Sequence, residues 1–588
     1  MIVSFTLTSL MAAKLLRPPG ELVKEKGMWL YRIILTPFQN FLDKLEHGYS
    51  NSIGWMLKHR AIILLTIFST LVIGFGFYYF IGSEMMPLAD VGQAYGILEA
   101  QPNTSFEQTE KMTTQFEKII LKHPEIIKVS TEIGAETMFE SFSPFFTGYS
   151  MGQVNSSTFM FTFKDKDERK KTIWDVMDSI QKEALETIPG LRRVQIKEMG
   201  SDVMASSSAP IQILVYGKDF GLIEKLSNES LKIANNIKGL YQGALDWSLT
   251  RPDYEIKIDP RRAMEIGLGT EEIAQQVYYS MRGGLTNEFY RLPNIRQNTI
   301  LVRYDQDDRK NNIALENMYI TTTDGRQIPL KTVATIEYKG APTIIEHDGL
   351  RRVNTLTGYY RIGGPPSMDL SMDIEMKAMQ KINFPPGYGM EVRGDMTQMM
   401  DSFRRLLAGL LFAFLFMFLI LVAQFRGFLQ PLQMIMSLPL ELTGVFIALF
   451  LLHQNFSTVS IMAIIVLSGM DITTAILLVD MIINYRDRGV PRDEAVMKAC
   501  PQRLRPILMT SIITILVMIP VSLFPRTGMD AYSPLGTVVV GGLIIGTILS
   551  LFVIPLMHTY VDDFIKLINR IFLKRKWEWP VTKSIDEI

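Results

Sequence analysis

Six stretches of the chain are apolar for long enough to cross a bilayer as helices. They cover about 61–81, 403–424, 430–452, 460–483, 506–525 and 533–557. Each is close to the roughly 20 residues that a spanning helix needs. Residues 1–17 are also apolar but short, and we interpret them as the end of a truncated transmembrane helix. This pattern predicts a polytopic α-helical membrane protein.

A long insertion, about 83–402, has a different pattern, in which short apolar strands alternate with amphipathic helices. Its first part predicts the order βαββαβ, with elements at Gln93–Gln101, Ser105–His123, Ile126–Gly134, Ser157–Lys164, Thr172–Ile188 and Arg192–Glu198. The order then begins again and is completed only after a break, with elements at Pro210–Tyr216, Phe220–Ile237, Ala244–Thr250, Arg352–Tyr360, Met368–Ile382 and Met390–Gly394. A mixed segment, about 254–342, is therefore inserted within the second βαββαβ unit.

Basic residues are concentrated in two connections between spanning stretches, residues 17–60 and 485–505. The positive-inside rule places both in the cytoplasm. The insertion at 83–402 then lies outside, and the tail that includes Lys566 and Lys576 lies inside. Within the first connection, Phe38–Leu45 is amphipathic and predicts a helix in the membrane surface.

The composition excludes several classes of function. The 588 residues are 47% hydrophobic and 20% charged with a net charge of +0, which fits a mixture of lipid-embedded and aqueous segments and argues against nucleic-acid binding. A single cysteine excludes an internal disulfide framework. The sequence has no phosphate loop, HExxH, paired CxxC or GxSxG motif. We therefore predict no enzyme activity, cofactor or resident metal, and a pump of this kind would have to use an ion gradient.

Two acidic residues lie inside predicted spanning helices. Asp471 is near the middle of 461–483, and Glu441 is near the middle of 430–452. A carboxyl group at that depth is costly and usually marks an ion or proton path; the alternative is a neutral Asp471 hydrogen-bonded to Thr474 or to a facing helix. At about 100° per residue, Asp471 lies about 60° from Thr474, whereas Thr473 shares another face with Asp480.

Four short sequences, together with the two βαββαβ units between them, carry a resemblance to a known family. They are Ser4-Phe-Thr-Leu-Thr8, Gln101-Pro-Asn-Thr-Ser105, Ala475-Ile-Leu-Leu-Val-Asp480 and Arg503-Leu-Arg-Pro-Ile-Leu-Met-Thr-Ser511. In this order they resemble the C-terminal half of a resistance-nodulation-division (RND) efflux transporter, over nearly the whole chain.

The resemblance implies an α+β periplasmic insertion of duplicated, ferredoxin-like porter subdomains in a bacterial inner-membrane pump. The expected segments are a cytoplasmic loop at 18–60, a helix at 61–82, porter subdomains at 83–205 and at 206–253 with 343–402, a docking subdomain at 254–342, five helices within 403–560, and a tail at 561–588. The implied partners are a periplasmic adaptor, an outer-membrane channel, two further copies in a trimer and a separately encoded N-terminal half.

The resemblance also implies a proton relay. Its members here are Thr473, Thr474, Arg503 and Thr510, to which we add Asp471. The sequence departs from the best-known members, which have a lysine in place of Thr473, and Asp471 is not a position of the family's relay. Glu441 and Asp480 are additional candidate acids.

Three functions remain open at this level. The first is the export of organic amphiphiles or drugs driven by proton antiport, with a pocket walled by Phe139, Phe142, Phe145 and Phe146. The second is the export of copper or silver ions through methionine ligands. The third is an inactive or accessory remnant of such a pump.

Overall fold

The structure is a computed structural model that describes residues 10–11, 36–134, 154–200, 209–290, 298–305, 308, 312–342, 344–361 and 364–568. The chain divides into two compact units. The helical unit comprises Met1–Ala89 and Gln398–Ile588, and the sheet unit comprises Asp90–Thr397. Each unit contains its own clusters of buried apolar side chains.

Two helices of the helical unit precede the sheet unit in the described residues from 36 onwards. Helix α1 spans Thr36–Lys58 and helix α2 spans Arg60–Tyr78. The amphipathic stretch that begins at Phe38 is thus part of a longer helix than the sequence pattern indicated. Helix α2 is long and apolar enough to cross a membrane, and most of its side chains are not covered by the rest of the chain.

The first repeat of the sheet unit has every strand and helix that the sequence predicts. Its elements are β1 (Gln93–Ala100), α3 (Phe106–Ile120), β2 (Ile126–Ile133), β3 (Ser156–Phe163), α4 (Ile173–Thr187) and β4 (Leu191–Glu198). The strands form an antiparallel sheet in the order β2-β3-β1-β4. Side-chain caps start both helices: Ser105 accepts a hydrogen bond from Gln108 N, and Thr172 forms a capping box with Asp175.

The second repeat begins with β5 (Ile211–Gly217), α5 (Phe220–Asn235) and β6 (Tyr241–Leu245). An inserted segment follows. Its elements are β7 (Arg251–Ile258), α6 (Pro260–Glu265), α7 (Thr270–Arg282), β8 (Gly284–Tyr290), β9 (Asn298–Val302), α8 (Asn312–Glu316), β10 (Tyr319–Thr321), β11 (Gln327–Pro329) and β12 (Ala334–Ala341). These strands pair as β7–β12, β8–β9 and β10–β11. The first and last of these pairs contribute to a separate apolar core that includes Ile273 and Leu330.

The chain then returns to complete the second repeat. The returning elements are β13 (Glu346–Asp348), β14 (Arg351–Tyr359), α9 (Ser367–Lys381) and β15 (Gly389–Gly394). In this sheet β6 and β13 share one edge of β14, and the order continues through β5 to β15. The order β6-β14-β5-β15 matches that of the first repeat, so the structure shows the duplication at the level of strand pairing.

The remaining helices belong mainly to the helical unit. They are α10 (Asp395–Phe425), α11 (Leu429–Ile435), α12 (Leu438–Leu451), α13 (Thr458–Asp487), α14 (Arg492–Leu523) and α15 (Ser533–Ile568). Together with α2, and with α11 and α12 counted as one, they give six helices in the described chain that are long and apolar enough to cross a membrane.

One predicted connection is wrong. The sequence placed a loop at 485–505 and a helix start at Pro506, but α13 continues to Asp487 and α14 already begins at Arg492. Pro506 therefore lies inside α14. The helix continues through the basic stretch because small and apolar residues recur on its inner face there: Ala495, Val496, Ala499, Cys500 and Leu504 are all buried.

Candidate functional site

Glycines bring helices α12 and α15 into close contact. A Cβ atom on Gly444 would lie 2.2 Å from the carbonyl oxygen of Gly541, and one on Gly541 would lie 2.6 Å from the carbonyl oxygen of Gly444. A Cβ on Gly546 would lie 2.7 Å from Glu441 Cγ. The glycines of α15 thus pack directly against α12, and this packing encloses the side chain of Glu441.

Two carboxyl groups meet in this tightly packed region. Asp471 on α13 is 3% exposed and Glu441 on α12 is 2% exposed, and the two carboxyl groups are close enough to act directly on each other. Within the described part of the chain, no lysine, arginine or histidine is among the groups acting on either carboxyl. A hydrogen bond between two carboxyls requires a proton on one of them, because an ionised carboxylate can only accept. The two carboxyls are therefore placed to share one proton, and we call them the acid pair.

Ser437 is in hydrogen-bond contact with the acid pair. Its Oγ lies 2.7 Å from Asp471 Oδ2 and also 2.7 Å from the carbonyl oxygen of Met434. A hydroxyl has one hydrogen to donate, so it can serve only one of these acceptors at a time. It can donate to an ionised Asp471, or accept from a protonated Asp471 while it donates to Met434. Ser437 can thus keep a hydrogen bond to Asp471 in either protonation state while the proton of the pair is on Asp471 or on Glu441.

Ser437 was not predicted as a site residue, although its position in the sequence indicates one. Ser437 precedes Glu441 by four residues, which places both on one face of a helix. A hydroxyl and a carboxyl on one face of an apolar segment indicate a polar site inside the helix bundle.

The structure distributes the other predicted relay residues over different surfaces. Thr473 is exposed and donates to the carbonyl oxygen of Met470, 2.6 Å away, while Thr474 is half-buried. Asp480 is exposed and accepts a hydrogen bond of 3.2 Å from Asn484 Nδ2. The acid pair and the Thr473 face therefore lie on different sides of α13.

On α14, Thr510 is exposed, and its hydroxyl lies 2.9 Å from the carbonyl oxygen of Ile507 in its own helix. Arg503 is half-buried, and its buried Nε finds no hydrogen-bond partner in the described chain. Neither residue hydrogen-bonds to the acid pair. The phenylalanines predicted to wall a pocket, Phe139, Phe142, Phe145 and Phe146, lie outside the described residues. Among the residues described, no group of three or more His, Cys, Asp or Glu side chains is placed to hold a metal ion.

A second buried carboxyl, Asp562, lies in an ionic cluster where helix ends converge. Arg486 Nη1 is 2.9 Å from Asp562 Oδ1, and both side chains are nearly inaccessible to solvent. Further ion pairs join four helices, with distances of 3.4 Å for Arg492–Asp562, 3.0 Å for Lys566–Asp562, 3.0 Å for Arg60–Asp563 and 3.5 Å for Arg60–Asp493. The ends of α2, α13, α14 and α15 that the sequence assigned to one side of the membrane thus meet in one cluster.

Comparisons with known proteins agree on one family and one fold. The AcrB/AcrD/AcrF family matches residues 1–562. The chain is 24% identical over 571 residues to the multidrug resistance protein MdtC of Klebsiella pneumoniae subsp. pneumoniae, an alignment that covers 95% of this chain and 52% of that protein. Two crystal forms of a heavy metal efflux pump share its fold, with TM-scores of 0.74 and 0.73 at 21% identity, over 89% of this chain and 52% of theirs. The chain thus spans about half the length of the curated relative it matches.

Proposed function

Because the chain belongs to the AcrB/AcrD/AcrF family of RND transporters, we propose that it supplies half of an efflux transporter driven by inward proton movement. The family and the six apolar helices indicate a multi-pass inner-membrane protein. In this proposal the sheet unit lies in the periplasm, and its two repeats are ferredoxin-like porter subdomains with the inserted segment as docking subdomain. A trimer, an adaptor, an outer-membrane channel and a second, separately encoded half complete the assembly.

The acid pair is the observation that carries the proposal. Asp471 and Glu441 are buried and have no cationic partner among the described residues, so a second negative charge there would meet both a low dielectric and a like charge. Loss of the shared proton would therefore favour a different packing of α12 and α13. Helix α10, which spans Asp395–Phe425 and has residues in both units, offers a continuous element for passing that change to the sheet unit.

We propose organic amphiphiles or drugs as the substrates. The support is the sequence match to a protein named for multidrug resistance. One observation favours soft metal ions as a second candidate: Met372, Met376 and Met379 are 47%, 55% and 51% exposed along one face of α9. Thioether sulfur is a ligand that selects Cu(I) and similar soft ions.

An export assay in the native host distinguishes a proton-driven pump from an accessory protein, and amphiphiles from soft metal ions as substrates. The test variant is Asp471→Asn, and Asp480→Asn is the matched control because that carboxyl is exposed on the same helix. We expect Asp471→Asn to abolish resistance to the exported compounds and Asp480→Asn to retain it. If the Asp471→Asn strain becomes sensitive to dyes and detergents, the substrates are amphiphiles. If it becomes sensitive to silver or copper, the substrates are soft metal ions. Resistance in the Asp471→Asn strain equal to that of the wild type would contradict proton coupling through this residue and favour an accessory protein.

A further inference from the structure

A polar ladder runs along helices α11 and α12 towards the acid pair. Gln430, Gln433, Ser437 and Glu441 are spaced three or four residues apart, so they lie on one face of the segment Leu429–Leu451. Gln430 is half-buried, and the other three are buried. The ladder therefore leads from the partly accessible end of the segment to its middle.

Gln433 is the unusual member of the ladder. It is 0% exposed, and neither its Oε1 nor its Nε2 has a hydrogen-bond partner in the described part of the chain. Its neighbours Met434, Leu438 and Leu440 belong to an apolar core. A buried amide without partners costs as much free energy as lost hydrogen bonds, and a membrane-spanning segment offers no bulk water to compensate. An apolar side chain would be more stable at this position unless something satisfies the amide.

The unpaired polar atoms along the ladder indicate which kind of ligand could interact with all of them. They comprise three acceptor oxygens, on Gln430, Gln433 and Glu441, and one donor, Nε2 of Gln433. A cation would satisfy the oxygens but not the donor, and an anion would do the reverse. Water both donates and accepts, and buried water typically makes about three hydrogen bonds to such groups.

We propose that Gln430, Gln433 and Ser437 hold a chain of water molecules that connects the acid pair to the end of the segment at Leu429. Its role rests on the proposed function: by the predicted topology this end faces the cytoplasm, so the chain is the exit for protons that move inward. A carboxyl of the pair breaks its O–H bond and transfers the proton to the nearest water, which passes a proton along the chain until one is released to bulk water. Gln433 is a positioning residue, because it acts through the water that it holds.

Replacement of Gln433 in the complete transporter, reconstituted in vesicles, tests the proposal. In Gln433→Leu we expect substrate-driven proton flux to fall at least tenfold with unchanged thermal stability, because the apolar side chain cannot hold the water but needs no hydrogen-bond partner itself. Gln433→Ser, which can still bind water, should recover most of the flux. Thr443→Val is the control: it removes a buried, unpaired hydroxyl that lies off the ladder, and it should leave the flux unchanged.

The outcomes distinguish this inference from the proposed function. Full flux in Gln433→Leu together with no flux in Asp471→Asn would overturn the water chain and leave proton coupling intact. Full flux in Asp471→Asn would overturn the proposed function itself. A loss of flux in Gln433→Leu that is accompanied by lower stability and is not recovered by Gln433→Ser would assign Gln433 a purely structural role and overturn the inference.

Labelling provides a readout that does not depend on flux. In a Cys500→Ala background we would introduce Gln433→Cys, or Leu440→Cys as the control, since Leu440 is 2% exposed and lies in the apolar core. The probe is a small, positively charged methanethiosulfonate added from the aqueous phase. We expect modification at position 433 at least tenfold faster than at position 440. Equal rates would contradict a hydrated ladder.

Discussion

Two aspartates of the helical unit are equally buried and have opposite surroundings. Asp471 is 3% exposed and Asp562 is 2% exposed. Asp562 pairs with Arg486, Arg492 and Lys566, whereas Asp471 contacts only the acid Glu441 and the hydroxyl of Ser437 among the polar groups that act on it. Burial alone therefore does not distinguish a structural carboxyl from a functional one. The difference between the two aspartates lies in the charge of the neighbouring side chains.

The physical reason is the cost of moving a charge out of water. A buried ion pair regains much of that cost from mutual attraction, so Asp562 can remain charged and hold helices α13, α14 and α15 together. Asp471 has no such partner, so its environment favours sharing a proton with Glu441. We therefore expect the ionic cluster to keep one charge state, whereas the acid pair can either hold or lose its shared proton.

The largest expected effect comes from breaking the ionic cluster. Arg486→Ala leaves Asp562 with less compensation for its buried charge, and removing one partner of a buried pair typically costs about 3–5 kcal/mol of stability. We expect a much lower unfolding temperature in detergent. Arg488→Ala is the control, because Arg488 is exposed at the end of the same helix. Equal unfolding temperatures for the two variants would show that the cluster is not a structural anchor.

A smaller effect is expected from crowding the acid pair. The added methyl group in Gly546→Ala would lie 2.7 Å from Glu441 Cγ, and overpacking of this kind typically costs about 1–3 kcal/mol. We expect reduced thermal stability and reduced export, because Glu441 must move. Gly469→Ala in α13 has no atom within 4 Å of the new Cβ and should retain both properties. If Gly546→Ala matches Gly469→Ala, then Glu441 is not held in place by α15.

Glu346 in the sheet unit extends the comparison to a carboxyl outside the membrane-spanning helices. Burial, with the nearby negative charge of Asp246, raises the pKa of Glu346 to about 7. The folded-state pKa of Glu346 lies above that of an unfolded glutamate, so the folded protein binds the proton more tightly than the unfolded chain does. The contribution of this proton to the free energy of unfolding is fully present below about pH 4.5 and is lost as the pH rises through about 7. After allowance for partial solvent exposure, we expect the stability of the full chain to fall by about 1–2 kcal/mol over this interval.

Glu346→Gln should remove this part of the pH dependence, because a glutamine cannot ionise. Glu337→Gln is the control, since Glu337 is exposed on strand β12. The measurement is the unfolding temperature of each full-length variant between pH 4 and pH 8. Identical pH profiles for wild type and Glu346→Gln would rule out Glu346 as the titrating group.

The smallest expected effect on stability is that of Asp471→Asn. Asparagine keeps the shape of the side chain, and its amide can donate to Glu441, so stability should change by less than about 1 kcal/mol although export is lost. The measurement is the unfolding temperature of Asp471→Asn beside that of Asp562→Asn, which should be clearly lower because three cations lose their shared anion. A large loss of stability in Asp471→Asn would instead make Asp471 a structural residue.

The sequence predicted the elements of both repeats because alternation and amphipathic periodicity are local properties. It misplaced the start of α14 because charges around Arg492 resemble a loop when the buried face of the helix is not yet known. Asp471 and Glu441 were each recognisable as intramembrane acids. Their contact was not, since it depends on how both helices pack against α15, where Gly541 and Gly546 approach α12 and Gly542 approaches Leu467 of α13.

The predicted relay shows the same limit. Spacing along α13 correctly separated the face of Asp471 from that of Thr473 and Asp480. Spacing could not show which helix each face meets, and the structure places Ser437 rather than Thr474 in hydrogen-bond contact with Asp471. The ionic cluster was missed because its members are far apart in sequence and each charge alone resembles a helix-end anchor.

The most direct test of the account is infrared spectroscopy of the reconstituted protein at neutral pH, which detects the carbonyl stretch of a protonated carboxyl group. In a Glu346→Gln background, which removes the other carboxyl expected to be partly protonated at this pH, we predict a band, sensitive to exchange into D2O, that shifts in both Asp471→Asn and Glu441→Gln and is unchanged in Asp562→Asn. That result would show a proton shared by the acid pair and a permanently charged Asp562. The absence of the band in the Glu346→Gln background, or a band that is unchanged in both Asp471→Asn and Glu441→Gln, would contradict a proton shared by the acid pair.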